Sequence, residues 1–280
     1  MTVFAGQGDP VWSITALWRP SDTDGTSDGA RERSPAGRTT RGPKQSLTVD
    51  AIVRAAVEIA DRDGLAGLSM RTVGDALGRT GMALYTYVPG KGELIDLMYD
   101  AAHAELPTHY EHPDWRAGVT AWADDLFAFH LRHPWTLEIS FARPALGPHQ
   151  QAVLEALADL LRATGLPAPT VRPVVTSVFH LVRGAAQTVT EARSAARATG
   201  TSDEDWWSAR SGALLAAVPD FAARFPATAW LGGDPTPPKP GVPYLEGAAA
   251  QALAGGLAVL FDGLGRVEAA RPPDLESSTP

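Results

Sequence analysis

The chain has 280 residues and a formal net charge of −8, with 44% hydrophobic residues and no cysteine. This length and apolar content are enough for a substantial buried core in one or two domains. The lack of cysteine excludes disulfides and cysteine-ligated zinc. The acidic balance argues against a broad, nonspecific polyanion binder, but it leaves room for a small local binding site.

Targeting segments are not evident in the sequence. The longest apolar runs are far shorter than the ~20 residues that a membrane-spanning helix needs. The first residues lack the basic and apolar regions of a secretory signal. We therefore expect a cytoplasmic protein with no membrane partner.

Residues 1–46 form an N-terminal extension by sequence pattern. Asp9 as N-cap and Pro10 in the first turn predict a short helix. Its apolar face would consist of Trp12, Leu17 and Trp18.

Residues 21–46 are rich in Gly, Ser, Thr, Asp and Arg and lack an apolar period, which is typical of a flexible arm or linker. The second half of this arm is basic, with Glu32 as its one acid against Arg31, Arg33, Arg38, Arg41 and Lys44. Such a run is either a solvated tail or an arm that reaches DNA.

From Thr48 onward the sequence has strong helical periodicity. Four helices are predicted over residues 47–105, with N-termini at Thr48, Ser69, Thr80 and near Lys91. The first three are predicted to end at Gly64, at a left-handed Gly78 and before Pro89.

The rest of the chain is also predicted to be helical, in a body over residues 110–270 and a flexible tail over 271–280. Its candidate helices are 114–132, 136–141, 148–164, 170–198, 203–217 and 246–268. Residues 226–245 contain six prolines and are predicted to be a loop. No alternating strand pattern of useful length occurs, so the expected fold class is all-α, with a break near residue 110.

The spacing of the second and third helices is typical of a helix-turn-helix, whose second helix enters the major groove. On the short helix, Leu84 and Tyr87 are three residues apart and are predicted to face inward. Small residues such as Gly81 and Ala83 would allow close approach to base edges. A solvated helical hairpin is the alternative interpretation of this pattern alone.

The segment VGDALGRTGMALYTYVPGKGELIDLM resembles the DNA-binding head of the tetracycline-repressor (TetR) family. The matching features are a Leu-Gly turn, a Leu-Tyr pair with a following aromatic, and a Lys before Glu-Leu. In this chain they are Leu77-Gly78, Leu84-Tyr85, Tyr87, Lys91 and Glu93-Leu94.

The resemblance implies two groups of DNA-contacting residues. Phosphate contacts are expected from Thr48, Arg71, Thr72, Tyr85 and Lys91. Base contacts are expected from Arg79, Thr80, Gly81, Met82, Ala83 and Thr86, and Tyr87 is added as the aromatic beside them. Because the centre of this surface lacks Gln, Asn and Lys, specificity should depend on methyl contacts, Arg79 and DNA shape.

The body resembles the C-terminal domain of the tetracycline-repressor subgroup, which implies a small-molecule effector site and no cofactor or metal. Its candidate lining residues are Trp122, Phe127, His130, Trp135, Phe141, Arg143, Phe179, His180 and Arg183. The alternative is that these aromatics belong to the core and that the histidines are structural.

The resemblance also implies a homodimer whose long helices pack across a two-fold axis. Small residues on both helices would allow close packing there, namely Gly184, Ala185, Ala186, Ala252, Gly255 and Gly256.

These features together predict a ligand-responsive homodimeric repressor that leaves a palindromic operator when an unidentified small molecule binds the body. An activator and a non-allosteric DNA binder remain as alternatives. An all-α enzyme is disfavoured, because the sequence contains none of H-E-x-x-H, G-x-S-x-G, the Walker loop or the dinucleotide glycine motif.

Overall fold

The computed structural model describes residues 3–19, 47–233 and 241–269, and within these ranges its regular elements are helices. One isolated bridge, between Val3 and Ile139, is the exception. In chain order the helices are α1 Pro10–Leu17, α2 Val49–Gly67, α3 Met70–Ala76, α4 Gly81–Leu84, α5 Lys91–His103, α6 Trp115–Arg132, α7 Pro148–Arg162, α8 Ala168–Thr199, α9 Asp203–Ala217, α10 Phe221–Arg224, α11 Pro226–Gly232 and α12 Tyr244–Ala269, with a 3₁₀ helix at Pro134–Glu138.

The all-α prediction is confirmed, and most of the predicted long helices end within two residues of the expected positions. The N-caps at Asp9, Thr48 and Ser69 are present, and Gly78 is left-handed with φ +63°. The first helical run of α2 is interrupted at Gly64, as predicted, because its φ of 69° is not helical. A short second run extends the element to Gly67.

Two predictions about the body are wrong. The segment expected to be helical at 136–141 is a short 3₁₀ helix at Pro134–Glu138. Residues 226–232, expected to be loop, form α11, because Pro226 occupies the first turn, where its missing N–H and fixed φ are tolerated. The basic arm at 21–46 and the tail at 271–280 lie outside the described residues.

The chain forms two compact units, and it passes between them more than once. Unit 1 contains residues 1–105 and also 138–154, and unit 2 contains 106–137 and 155–280. The head is therefore completed by a segment that follows α6 and the 3₁₀ helix in sequence.

Unit 1 is built around α5, which packs against α1 and α2. The apolar face of α5 includes Leu94 and Met98, both fully buried. Side chains of this size stabilise the fold by about 1.5–3 kcal/mol each when buried. The same helix also buries Glu93, Asp96 and Asp100.

Unit 2 is organised by the packing of α8 against α6 and α12. The buried residues of α12 recur every three or four positions, as a single apolar stripe requires. They are Ala249, Leu253, Leu257, Phe261 and Leu264.

Among the described residues, one helix, α12, is long and apolar enough to cross a membrane by length and composition. The buried stripe of α12 contains only some of the apolar residues of this helix. Val259 and Val267 lie on the exposed side of the same helix. An exposed apolar face next to a packed one is also what a helix at a subunit interface presents.

Candidate functional site

The helix-turn-helix is held together by a small apolar core between α3 and α4. Val73, Leu84 and Val88 are fully buried in it. The inward position predicted for Leu84 is confirmed, but the one predicted for Tyr87 is wrong. Tyr87 is 39% exposed, and Val88 is buried in its place because α4 ends at Leu84 and the chain continues as a turn.

The outer surface of this unit presents the residues that the sequence assigns to base contacts. We call these residues (Arg79, Thr80, Gly81, Met82, Ala83 and Thr86), together with the predicted phosphate contact Tyr85, the reading face. Met82 is 76% exposed and Tyr85 is 47% exposed. A Cβ on Gly81 would lie 3.1–3.2 Å from backbone atoms of Met70 and Arg71. The small size of Gly81 therefore serves the close packing of α4 on α3.

The predicted phosphate contacts at the start of α2 and α3 have local structural roles. The Thr48 hydroxyl accepts a hydrogen bond from the Ala51 N–H at 3.1 Å and caps α2. Ser69 and Thr72 form a reciprocal capping box, in which each side chain accepts from the other residue's N–H at 3.0 and 2.9 Å. Arg71 is largely exposed, with Asp75 at 3.8 Å.

Lys91 is already engaged within the unit. Its ammonium donates to the carbonyl oxygens of Leu65 at 3.2 Å and Leu68 at 2.7 Å. These carbonyls lie at the C-terminal end of α2, where a cation is favoured. A phosphate contact by Lys91 remains a prediction, and it would use the remaining N–H of the ammonium group.

The candidate effector residues of unit 2 include two groups that the structure brings together. The Trp122 and Phe179 rings meet edge to face, with centroids 4.9 Å apart. Trp122 is almost fully buried, and Phe179 is half-buried. This pair joins α6 to α8.

The second group surrounds the 3₁₀ helix. The Thr136 hydroxyl donates to the His133 carbonyl at 2.7 Å, so Nδ1 of His130, 2.8 Å from the same oxygen, must carry a proton and donate. The Arg183 guanidinium donates to the carbonyls of Thr136 and Leu137. The protein thus fixes the orientation of both His130 and Arg183.

The other candidates are distributed between the two units. In unit 2, Trp135 is buried, Phe127 is half-buried and His180 is exposed. Phe141 and Arg143 belong to unit 1, where the Arg143 guanidinium lies 5.4 Å from the centre of the Phe4 ring.

The small residues expected at the dimer axis divide into two sets. Ala185 and Ala186 are buried within their own chain, and a Cβ on Gly256 would meet the Leu181 side chain, so these three residues serve packing within the single chain. The other three, Gly184, Ala252 and Gly255, lie on exposed surface.

A curated protein, the HTH-type transcriptional repressor DrrR1 of Streptomyces coeruleorubidus, is 39% identical to this chain over 233 residues, which cover 77% of this chain and 86% of the relative. The family model for the tetracyclin repressor-like C-terminal domain matches residues 106–239. This chain belongs to the TetR family.

Two further proteins agree with the TetR assignment. An HTH-type transcriptional regulator of Saccharopolyspora erythraea is 36% identical over 165 residues, covering 57% of this chain and 68% of the relative. The crystal structure of the TetR family protein ActR of Streptomyces coelicolor, solved in complex with actinorhodin, matches with a TM-score of 0.63 and 26% identity. That match covers 80% of this chain and 99% of ActR. The chain is therefore a transcriptional regulator and not an enzyme.

Sequence reasoning missed three features of this TetR head. The sequence predicts Ser69 as an N-cap, but it does not predict the reciprocal hydrogen bonds between Ser69 and Thr72. It also does not predict that Val88 is buried. The carbonyl groups that bind Lys91 cannot be predicted from the sequence, because every residue carries the same main-chain carbonyl. Val88 was within reach, since it lies four residues after Leu84 and is apolar.

Arg79 provides the sharpest test of the reading face. Arg79→Ala should weaken binding to the intergenic DNA beside this gene by about five- to hundredfold, the range for removal of one arginine base contact. Arg62→Ala is the matched control, because Arg62 is exposed on α2 and pairs with Asp63. Fluorescence anisotropy measures both. Equal affinities for the two variants would remove Arg79 from the DNA interface.

Proposed function

We propose that this TetR-family regulator is a cytoplasmic homodimeric repressor that binds a palindromic operator and leaves it when a small molecule binds unit 2. The observation that carries the proposal is the exposed reading face on a well-packed helix-turn-helix. Apart from Arg79, its side chains are apolar or hydroxyl-bearing and fit thymine methyl groups and phosphate oxygens. The 39% identity to a named repressor supports repression over activation.

The effector should be an aromatic small molecule with hydrogen-bond acceptors. The edge-to-face pair of Trp122 and Phe179 supplies aromatic surface. The nearby Arg183 supplies a donor whose orientation is fixed by backbone carbonyls. The complex of ActR with actinorhodin is a precedent among structural relatives.

Release from DNA would then be a population shift. A dimer reads successive major grooves only if its two heads lie about 34–36 Å apart. An effector that binds better to a conformation with another spacing lowers the population that fits the operator. Helix α5 is the element that carries this change, because it connects the helix-turn-helix to residue 106, where unit 2 begins.

A reporter assay combined with binding measurements tests the proposal. Deletion of the gene should raise expression from the adjacent promoter, and purified protein should bind that promoter with an affinity that falls as salt rises. Lower expression on deletion would instead indicate an activator. Binding that no candidate effector weakens, actinorhodin included, would favour a non-allosteric binder, and no sequence-dependent binding would refute the proposal.

The basic arm at 21–46 is a further proposed DNA contact. The described residues that flank the arm both contact the first turn of α2. On one side the Arg19 side chain pairs with Asp50, and on the other side Thr48 is the N-cap. An arm attached there begins and ends beside a predicted phosphate contact. Basic arms of this kind bind in the adjacent minor groove.

Deletion of residues 21–44 should therefore weaken operator binding and flatten its salt dependence. The slope of log K against log salt should fall by about 0.9 for each phosphate that the shortened protein no longer neutralises. A deletion protein whose five basic residues are restored in a Gly/Ser linker serves as the control. An unchanged affinity and slope would identify the arm as a solvated tail.

Dimerisation is proposed to involve α9, α10 and α11 in addition to α8 and α12. None of these three helices has a buried residue in the single chain. They expose the large apolar side chains of Trp206, Trp207, Leu214, Leu215, Trp230 and Leu231, and Phe225 between α10 and α11 is exposed as well. Short helices without buried contacts are marginal in water, so the second subunit is their proposed packing partner.

Trp230 tests this arrangement because it is 77% exposed in the single chain. Trp230→Ser should raise the dimer dissociation constant by about tenfold or more, as for a buried interface tryptophan. Val11→Ser, at a position 74% exposed on α1, is the matched control. Analytical ultracentrifugation would contradict the arrangement if both variants dimerised like the parent protein.

A further inference from the structure

The described N-terminal residues, 3–19, are bound to the segment 138–147 of unit 1. The Val3 N–H donates to the Glu138 carbonyl at 2.8 Å, and the Ser140 N–H donates to the Val3 carbonyl at 2.7 Å. At the other end, the Trp18 indole N–H donates to the Leu146 carbonyl at 3.0 Å. Leu146 has φ +61°, an uncommon conformation for a branched residue, so this bond holds a strained point of the loop.

The same residues 3–19 also bind α5. The Gly6 N–H donates to one Asp96 oxygen at 2.9 Å, and the Ser13 hydroxyl donates to the other at 3.1 Å. Asp96 is 1% exposed. Burial raises the pKa of the Asp96 carboxyl, and these two hydrogen bonds oppose that rise. An unpaired carboxylate at this depth would be costly, so α5 depends on these donors.

The contact with α5 is close. A Cβ on Gly8 would lie under 3 Å from three side-chain atoms of Glu93. Glu93 is itself buried, and it accepts a hydrogen bond from the Asp9 N–H at 3.3 Å. Any larger residue at position 8 must displace either Glu93 or the N-terminal segment.

The two elements held by residues 3–19 adjoin two of the points where the chain crosses between unit 1 and unit 2. Helix α5 ends at His103, and unit 2 begins at residue 106. The chain re-enters unit 1 at Glu138, whose carbonyl binds Val3. Residues 3–19 thus join two of the segments that connect unit 1 to unit 2 along the chain.

We propose that residues 3–19 are a brace that fixes α5 against the segment 138–147, and that operator affinity depends on this brace. The inference rests on the proposed function, in which the position of α5 sets the spacing of the two heads. If α5 moves relative to the segment 138–147, the two heads of the dimer sample spacings that do not fit the operator. Apparent operator affinity then falls in proportion to the fitting fraction.

Gly8→Val and Ser13→Ala weaken the brace in different ways, and Thr15→Ala on the exposed face of α1 is the matched control. Hydrogen exchange should become faster in both α5 and 138–147 for Gly8→Val, with a smaller effect for Ser13→Ala and none for Thr15→Ala. Faster exchange confined to residues 3–19 would overturn the brace. Circular dichroism and ultracentrifugation establish that each variant is helical and dimeric.

Operator binding provides the second measurement. Gly8→Val should lower affinity for the promoter DNA by about tenfold, which corresponds to a fitting fraction of about one tenth, while affinity for unrelated DNA stays constant. Equal operator affinity in Gly8→Val and Thr15→Ala would overturn the dependence on the brace. If the parent protein binds no promoter DNA, the proposed function fails, and hydrogen exchange still decides whether the brace exists.

Discussion

The burial of three carboxylates on one face of α5 is the constraint around which unit 1 is organised. Glu93, Asp96 and Asp100 are spaced three and four residues apart, and all are buried. Each must receive hydrogen bonds from outside its own helix, because its charge has lost water. The N-terminal segment supplies donors to the first two, and the Gln150 N–H supplies one to Asp100 at 2.9 Å. This requirement brings residues distant in sequence to one helix.

An acidic chain can approach DNA here because the charge that matters is local. Residues 71–91 contain Arg71, Arg79 and Lys91 against the single acid Asp75, in a chain whose net charge is −8. The acids of α5 are buried in unit 1 and accept hydrogen bonds there. At physiological salt, exposed charges beyond about 8 Å are largely screened. The reading face, with Arg79 as its one cation, can therefore approach DNA closely.

The sequence predicted the elements whose signals are local. Helical periodicity and caps located α2, α6 and α9, and the Leu-Gly turn located the helix-turn-helix. The sequence did not predict the features that depend on tertiary contacts. The burial of the α5 acids is not predicted, because it depends on donors distant in sequence, from residues 3–19 and from Gln150. Pro226 suggested a loop, although proline is also suited to the first turn of a helix. The candidate effector residues remain predictions from sequence, and the orientation of Arg183 among them depends on the backbone carbonyls of the 3₁₀ helix.

The central claim is that two identical heads read one operator, and hydroxyl-radical footprinting of the promoter DNA tests it most directly. A dimer with this architecture predicts two protected patches related by a two-fold axis, with centres about 34–36 Å apart along the duplex. Their sequences should form a palindrome. A single patch without symmetry, or protection spread evenly along the DNA, would contradict the account.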